Sequence, residues 1–169
     1  MILLFDANQA YLGELLLDEG RLKHFVLTQM GENLIGSHAV QWQTRGIGVS
    51  RLIPSVKPDG SREDVAFQQY VQPREHGFGD AFRLWAAEHG YHAVEMDDRM
   101  MSLWELLLRL PFEPAERHAV LLAIRSTPNQ FHEWRSCLQE ADTVVSGPAR
   151  RPDRDRQMLK IKAKAGKVF

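Results

Sequence analysis

The sequence predicts an α/β fold: a mixed or mainly parallel sheet with flanking helices and an appended C-terminal helical subdomain. Two short and largely apolar segments, Ile2–Phe5 and His92–Met96, have the pattern of strands covered on both faces. After Asp98 the apolar residues recur at helical spacing only. We therefore expect an α/β core over residues 1–98, a helical subdomain packed on it over 99–146, and a tail over 147–169.

The residues between the first strand and Gly46 carry three apolar stripes, and their spacing predicts three helices. A second interpretation makes Leu15–Thr28 a hairpin about Asp18–Arg21, because Asp and Gly also suit a tight turn. Apolar residues at i, i+3 and i+4 outnumber alternating ones in this region. That count favours the helices over the hairpin.

The middle and the end of the chain give clearer boundaries. Pro58-Asp59-Gly60 is a turn signal between two strand-like segments, Ile47–Ile53 and Val65–Val71, and predicts a hairpin with a long tip. The helices that we predict beyond this hairpin are Asp80–His89, Met100–Leu110, Pro114–Arg125 and Pro128–Ala141.

Charge is unevenly divided along the chain. Residues 147–169 hold eight basic residues and two aspartates, a net charge of +6, whereas the remaining residues carry −7. A basic segment interrupted by Pro and Gly predicts a flexible tail that contacts nucleic acid or an acidic protein surface; a solvated tail that only improves solubility is the alternative. Its second half alternates apolar and basic residues, as in a strand with one cationic face. The candidate nucleic-acid-binding residues are Arg150, Arg151, Arg154, Arg156, Lys160, Lys162, Lys164 and Lys167.

Bulk properties exclude several classes of protein. The single Cys137 cannot form an internal disulfide or a cysteine-rich zinc site, which agrees with a reducing cytoplasm. No apolar run approaches the ~18 residues of a membrane span, so we expect no membrane association. The chain also lacks a complete nucleotide-binding glycine motif.

Four aspartates lie where the ligand sites of open α/β sheets gather. Asp6 follows the first predicted strand, Asp80 begins a predicted helix, and Asp97 and Asp98 follow a later strand. The segment Leu3-Leu4-Phe5-Asp6-Ala7-Asn8 resembles the opening of PIN-domain nucleases, and Asp80-Ala81 with Gly90 and Asp97 is similar to their later acidic helix and strand. The resemblance covers about thirty residues. It implies a ribonuclease dependent on Mg²⁺ or Mn²⁺, with Asp6, Asp80 and Asp97 as metal ligands and Asn8 orienting them.

The same aspartates also have a structural interpretation that needs no metal. Asp6 and Asp97 suit turns at strand ends, and Asp80 suits the N-cap of a helix. We give this interpretation precedence, so no catalytic residue and no cofactor is assigned.

The helical subdomain is predicted to carry the surface for a protein partner. Its aromatic residues exceed what three helices alone are expected to bury, and exposed apolar patches mark interaction sites. These residues are Trp104, Phe112, Phe131 and Trp134. The sequence thus predicts a non-catalytic accessory or regulatory protein of the cytoplasm that binds a protein partner through this subdomain and nucleic acid through its tail. A metal-dependent nuclease is the alternative, and no oligomeric state is predicted.

Overall fold

The fold is mixed α+β, with two antiparallel sheets and six α-helices among the described residues. The structure is a computed structural model that describes residues 1–148 and 150–168. The predicted α/β fold with a mixed or mainly parallel sheet is therefore wrong, because every strand pairs with its neighbours in antiparallel fashion. The chain divides into two units, of which unit 1 comprises residues 1–7 and 11–95, and unit 2 comprises residues 8–10 and those from Met96 onward.

Unit 1 contains both sheets and two helices. Its strands are β1 (Ile2–Phe5), β2 (Tyr11–Asp18), β3 (Arg21–Leu27), β4 (Ile47–Val56), β5 (Arg62–Val71) and β6 (His92–Glu95). Its helices are α1 (Gln29–Arg45) and α2 (Phe78–Glu88). One sheet has the order β3-β2-β1-β6, and the other is the hairpin β4-β5.

Strand β1 lies inside the larger sheet and is buried along its whole length. Its pairing with β6 places Ile2 opposite Glu95 and Phe5 opposite His92, so the two strands run in opposite directions. An apolar run predicts that a strand is covered on both faces, but it carries no information on direction. The prediction of a fully covered strand is therefore confirmed for β1 but not for β6, in which His92 and Glu95 are exposed and only Val94 is buried, and the predicted relative orientation is wrong.

The segment after β1 is the β2–β3 hairpin, so the hairpin interpretation is confirmed and the two helices favoured there are wrong. Glu19 and Gly20, which connect the strands, both have positive φ, at 48° and 80°. Two such residues in succession give the turn whose twist matches a hairpin. The third predicted helix is present as α1, where the Thr28 hydroxyl caps the first turn by accepting a hydrogen bond from the Gly31 N–H.

An aromatic cluster fills the core of unit 1 between its helices and β3. The Trp42 ring of α1 meets Trp85 of α2 edge-to-face at 4.7 Å and Phe82 at 5.6 Å between ring centroids. Phe25 of β3 packs 5.7 Å from Trp42. Edge-to-face contacts of this kind add to the stabilisation from apolar burial.

Unit 2 is helical. Its elements are α3 (Asp98–Arg109), α4 (Pro114–Ser126), a short 3₁₀ turn (Pro128–Gln130), α5 (Phe131–Ser146) and α6 (Arg151–Gly166). A capping box between Glu113 and Glu116 starts α4, with Pro114 in its first turn. No helix in the described part of the chain is long and apolar enough to cross a membrane.

Helix α6 replaces the flexible tail that the sequence predicted. Met158, Ile161 and Ala165 are buried in unit 2, where α6 packs against α4 and α5. Their spacing of three and four residues places them on one side of a helix. The alternation in the sequence is therefore incidental, since it also fits a helix that buries Ile161 and exposes Leu159 and Ala163.

Candidate nucleic-acid interface

The side of α6 that faces away from the core carries a row of exposed cations. Arg156, Lys160 and Lys167 recur at intervals of four and seven residues, which places them on one helical face. The distance from the first to the last is about 16 Å, the rise of eleven helical residues. Folding of α6 thus converts a basic composition into a linear arrangement of charge.

The structure divides the eight predicted cations into two groups. Three of them are held by the protein: Lys162 pairs with Glu116 at 2.5 Å, Lys164 with Glu133 at 2.9 Å, and Arg154 donates a hydrogen bond to the Gly147 carbonyl at 2.9 Å. The other five are exposed and have no ion pair with any described residue. They are Arg150, Arg151, Arg156, Lys160 and Lys167.

The two ion-paired lysines help to fix α6 within unit 2. The Lys162 ammonium hydrogen-bonds the Glu116 carboxylate and lowers its pKa from the ordinary value of 4.5. The Lys164 ammonium also lies 4.9 Å from the centre of the buried Trp134 ring, a cation–π contact. The charges of Lys162 and Lys164 are therefore largely compensated by groups of the protein itself.

A groove of about 760 Å³ runs beside the C-terminal half of α6. Lys160, Lys164 and Lys167 line one side of it, and Ser126 and Gln130 lie on the other. The carboxyl end of α4 contributes a partial negative charge of about half a unit there, which the exposed ammonium groups of Lys160 and Lys167 outweigh. Sequence reasoning did not include Ser126 and Gln130, because only the packing of α6 brings them beside the lysines.

The predicted metal ligands of unit 1, Asp6 and Asp80, lie near opposite ends of β1. Asp80, in the first turn of α2, is bridged by Arg83 to Glu95 at the end of β6. Glu95 lies opposite Ile2, whereas Asp6 follows the other end of β1, about 13 Å away at the rise of four strand residues. Antiparallel pairing therefore separates Asp6 from the Glu95 end of β6, where Asp80 is held. In a parallel sheet the carboxyl ends of β1 and β6 would lie side by side.

Asp97 has a structural role in unit 2, since its carboxylate accepts a hydrogen bond from the Met100 N–H at 2.8 Å and caps α3. Asp80, in contrast, is not a cap, because the N-cap of α2 is Gly77. Asn8 is exposed in the turn after β1. Within the ranges 1–148 and 150–168, no three His, Cys, Asp or Glu side chains are arranged to hold a metal ion.

The aromatic residues predicted to bind a partner are mostly core residues. Trp104, Phe112 and Trp134 are between 0% and 5% exposed, and the Trp134 indole N–H donates to the Thr127 hydroxyl at 2.9 Å. Phe131 is half-buried. The exposed aromatic patch on which the prediction depended is therefore not formed. Helix α6, which packs against α4 and α5, contributes cover at Trp134 through Lys164.

Comparisons with protein-family models, with curated proteins and with solved structures found no match to this chain. The cationic face of α6 combines exposure, regular spacing and a net positive charge, with one acidic residue, Asp153, on the same face.

Proposed function

We propose that this protein is a non-catalytic binding protein that contacts the phosphate backbone of nucleic acid through the exposed face of α6. The observation that carries the proposal is the alignment of Arg156, Lys160 and Lys167 on one side of a docked helix. A nucleic-acid duplex carries about one phosphate per 3.4 Å of axis on each strand, so a helix face about 16 Å long spans several phosphates.

The composition of this face favours contact with the backbone over contact with the bases. Among the described residues of this face, Leu159 is the only large apolar side chain, and no aromatic ring on which a base could stack accompanies the cations. Phosphate contacts carry no sequence information, so we expect binding that depends on salt and little on sequence. Lys160 and Lys167 also line the groove beside α6, which therefore adjoins the same positive surface.

The proposal is tested by fluorescence anisotropy with a labelled DNA duplex and a labelled single-stranded RNA across a series of salt concentrations. In Arg156→Gln/Lys160→Gln/Lys167→Gln, three phosphate contacts are lost. The slope of log K against log salt should then fall by about 2.7 for duplex DNA, at roughly 0.9 per contact. The two probes also show whether the strand form matters.

A matched control removes charge from the same helix at the two ion-paired positions. Lys162→Gln/Lys164→Gln should leave the salt slope close to that of the wild type, because these lysines are bound to Glu116 and Glu133. Equal loss of slope in both variants would show only a general effect of net charge. That result, or no binding of either probe by the wild type, would overturn the proposal and leave an acidic protein surface as the partner.

Catalysis is tested on the same probes with Mg²⁺ or Mn²⁺ present. We expect the probes to remain intact, and we expect Asp6→Asn to bind as the wild type does. Metal-dependent cleavage that Asp6→Asn abolishes would restore the nuclease interpretation and would contradict the non-catalytic part of the proposal.

A further inference from the structure

The outer part of the β4–β5 hairpin in unit 1 exposes apolar side chains. At its base, Ile47, Val49 and Val71 belong to the core of unit 1. Farther out both strands are exposed, and the large apolar residues there are between 45% and 68% exposed; they are Leu52, Ile53, Val56, Val65, Phe67 and Tyr70. A two-stranded hairpin is only marginally stable alone in water. The exposed part of this hairpin has no cover from the described residues, so it presents an apolar face and unpaired strand edges.

The register of the hairpin shows how these residues are arranged. Ile53 lies opposite Val65, and Phe67 is two residues farther along β5 on the same face. That face continues the stripe of Ile47 and Val49, which is buried at the base. This face therefore carries apolar residues from the core to the exposed part of the hairpin, with Arg51 and Gln69 between them.

The two outer edges of the hairpin differ in their capacity to pair. The Lys57 N–H donates to the Ser61 carbonyl at 2.8 Å, which makes the odd-numbered residues of both strands the hydrogen-bonded pairs. The even-numbered residues therefore direct their backbone groups outward. On β4 one of these is Pro54, which has no N–H and interrupts that edge.

The outer edge of β5 has no such interruption. Its outward-facing residues are Arg62, Asp64, Ala66, Gln68 and Tyr70, each with an N–H and a carbonyl group. In the described part of the chain, β5 pairs with β4 alone. A complete strand edge beside an exposed apolar face is a template for addition of another strand.

We propose that β5 pairs antiparallel with β5 of a second copy of this chain, about a two-fold axis at Ala66. Centred there, Val65 of each copy lies opposite Phe67 of the other, which gives two apolar cross-strand pairs. Arg62 lies opposite Tyr70, an arrangement that suits a cation–π contact. Pairing of the five outward residues supplies about ten backbone hydrogen bonds, two from each pair.

Charged and apolar cross-strand pairs together favour this register over the others that keep the hydrogen bonds. Centring on Asp64 would oppose the two Asp64 carboxylates, and centring on Val65 would place Glu63 against Phe67. Centring on Gln68 would place Phe67 against Gln69. Centring on Phe67 opposes no like charges, but it places both copies of Val65 against Gln69. The Ala66 register opposes no like charges and keeps both Val65–Phe67 pairs, so the strand is complementary to itself, as a two-fold interface requires.

The paired strands bury less than the roughly 800 Å² per partner of a standard interface, so we expect a dimer that depends on protein concentration. Sedimentation velocity over a range from about 1 to several hundred μM should show the wild type moving from the monomer mass toward twice that mass. A wild type that stays monomeric throughout this range would overturn the proposal.

Two proline variants identify the edge. Ala66→Pro removes an outward N–H of β5 without touching the bonds to β4, as Pro54 already does on the other strand, and it should abolish the mass shift. Leu52→Pro makes the same change at an outward position of β4 and should dimerise as the wild type does. Equal dimerisation of both variants would contradict pairing through β5.

A cysteine variant tests the register and does not depend on whether Ala66→Pro folds. Residues that face each other in a hydrogen-bonded antiparallel pair have Cα atoms about 5.5 Å apart, within the range of a disulfide. In a Cys137→Ser background, Ala66→Cys should therefore cross-link two copies on mild oxidation. Gln68→Cys should not, because its two copies lie four residues out of register. Cross-linking of Gln68→Cys alone, or of neither variant, would refute the register.

Discussion

Replacing Ile161 by alanine tests whether α6 is a docked helix, on which the proposed interface depends. The Ile161 side chain is fully buried in unit 2. Truncating a buried isoleucine to alanine costs about 2–5 kcal/mol, from lost burial and from the cavity that remains. For a unit of fewer than a hundred residues, each kcal/mol corresponds to roughly 4–8 °C, so the melting temperature of the helical signal should fall by roughly 8–40 °C.

Leu159 provides the matched control on the opposite side of the same helix. Its side chain is 64% exposed, so Leu159→Ala should change the free energy of unfolding by no more than about 0.5 kcal/mol. Circular dichroism at 222 nm during thermal unfolding measures both variants, because unit 2 is helical. If the two variants melt within about 2 °C of each other, residues 151–166 are not docked and the alignment of cations is lost.

Three further predictions follow from single residues. Asp97→Ala should cost about 1 kcal/mol in urea unfolding because the cap on the Met100 N–H is lost, whereas Asp97→Asn should keep most of the stability. The pKa of Glu116 is lowered, so its pair with Lys162 stabilises the fold above the ordinary value of 4.5, and this contribution is lost as the pH falls through the lower folded-state pKa. The unfolding free energies of the wild type and Lys162→Gln should therefore differ at pH 7 and converge at acidic pH once Glu116 is protonated in the folded state; a constant difference would exclude this pair as its source. Burial raises the pKa of the Cys137 thiol, so a thiol reagent at pH 8 should modify it more slowly than a cysteine peptide; an equal rate would show that the thiol is accessible.

The sequence predicted well those elements whose ends carry their own signals. The hairpin about Pro58-Asp59-Gly60 and the helix that begins at Pro114 are present, because the turn residues and the capping box act locally. Such signals do not depend on the rest of the fold. They leave open which strands pair and in which direction.

The error in β2 has a specific physical cause. Leu12 and Leu15 both belong to the core of unit 1, although they are three residues apart, a spacing that suggests a helix. The register of β1 against β2 shifts at this point: Leu4 pairs with Gly13 and Phe5 with Tyr11, so Leu12 is the extra residue of a bulge. A bulge changes the face to which the following residues point, and it hides the alternation of a strand.

The candidate interface was predictable in composition but not in arrangement. All eight basic residues of the C-terminal segment look equivalent in the sequence, because a count of charges contains no partners. In the folded protein, Lys162 and Lys164 pair with carboxylates of α4 and α5, whereas Arg156, Lys160 and Lys167 lie on the exposed face.

A screen that neutralises basic residues by their order in the sequence would therefore mix residues that stabilise α6 with residues available to a phosphate. A loss of binding after such a screen has two possible causes, a melted helix or a missing contact. Only variants chosen by helical face, with thermal unfolding measured beside affinity, separate them.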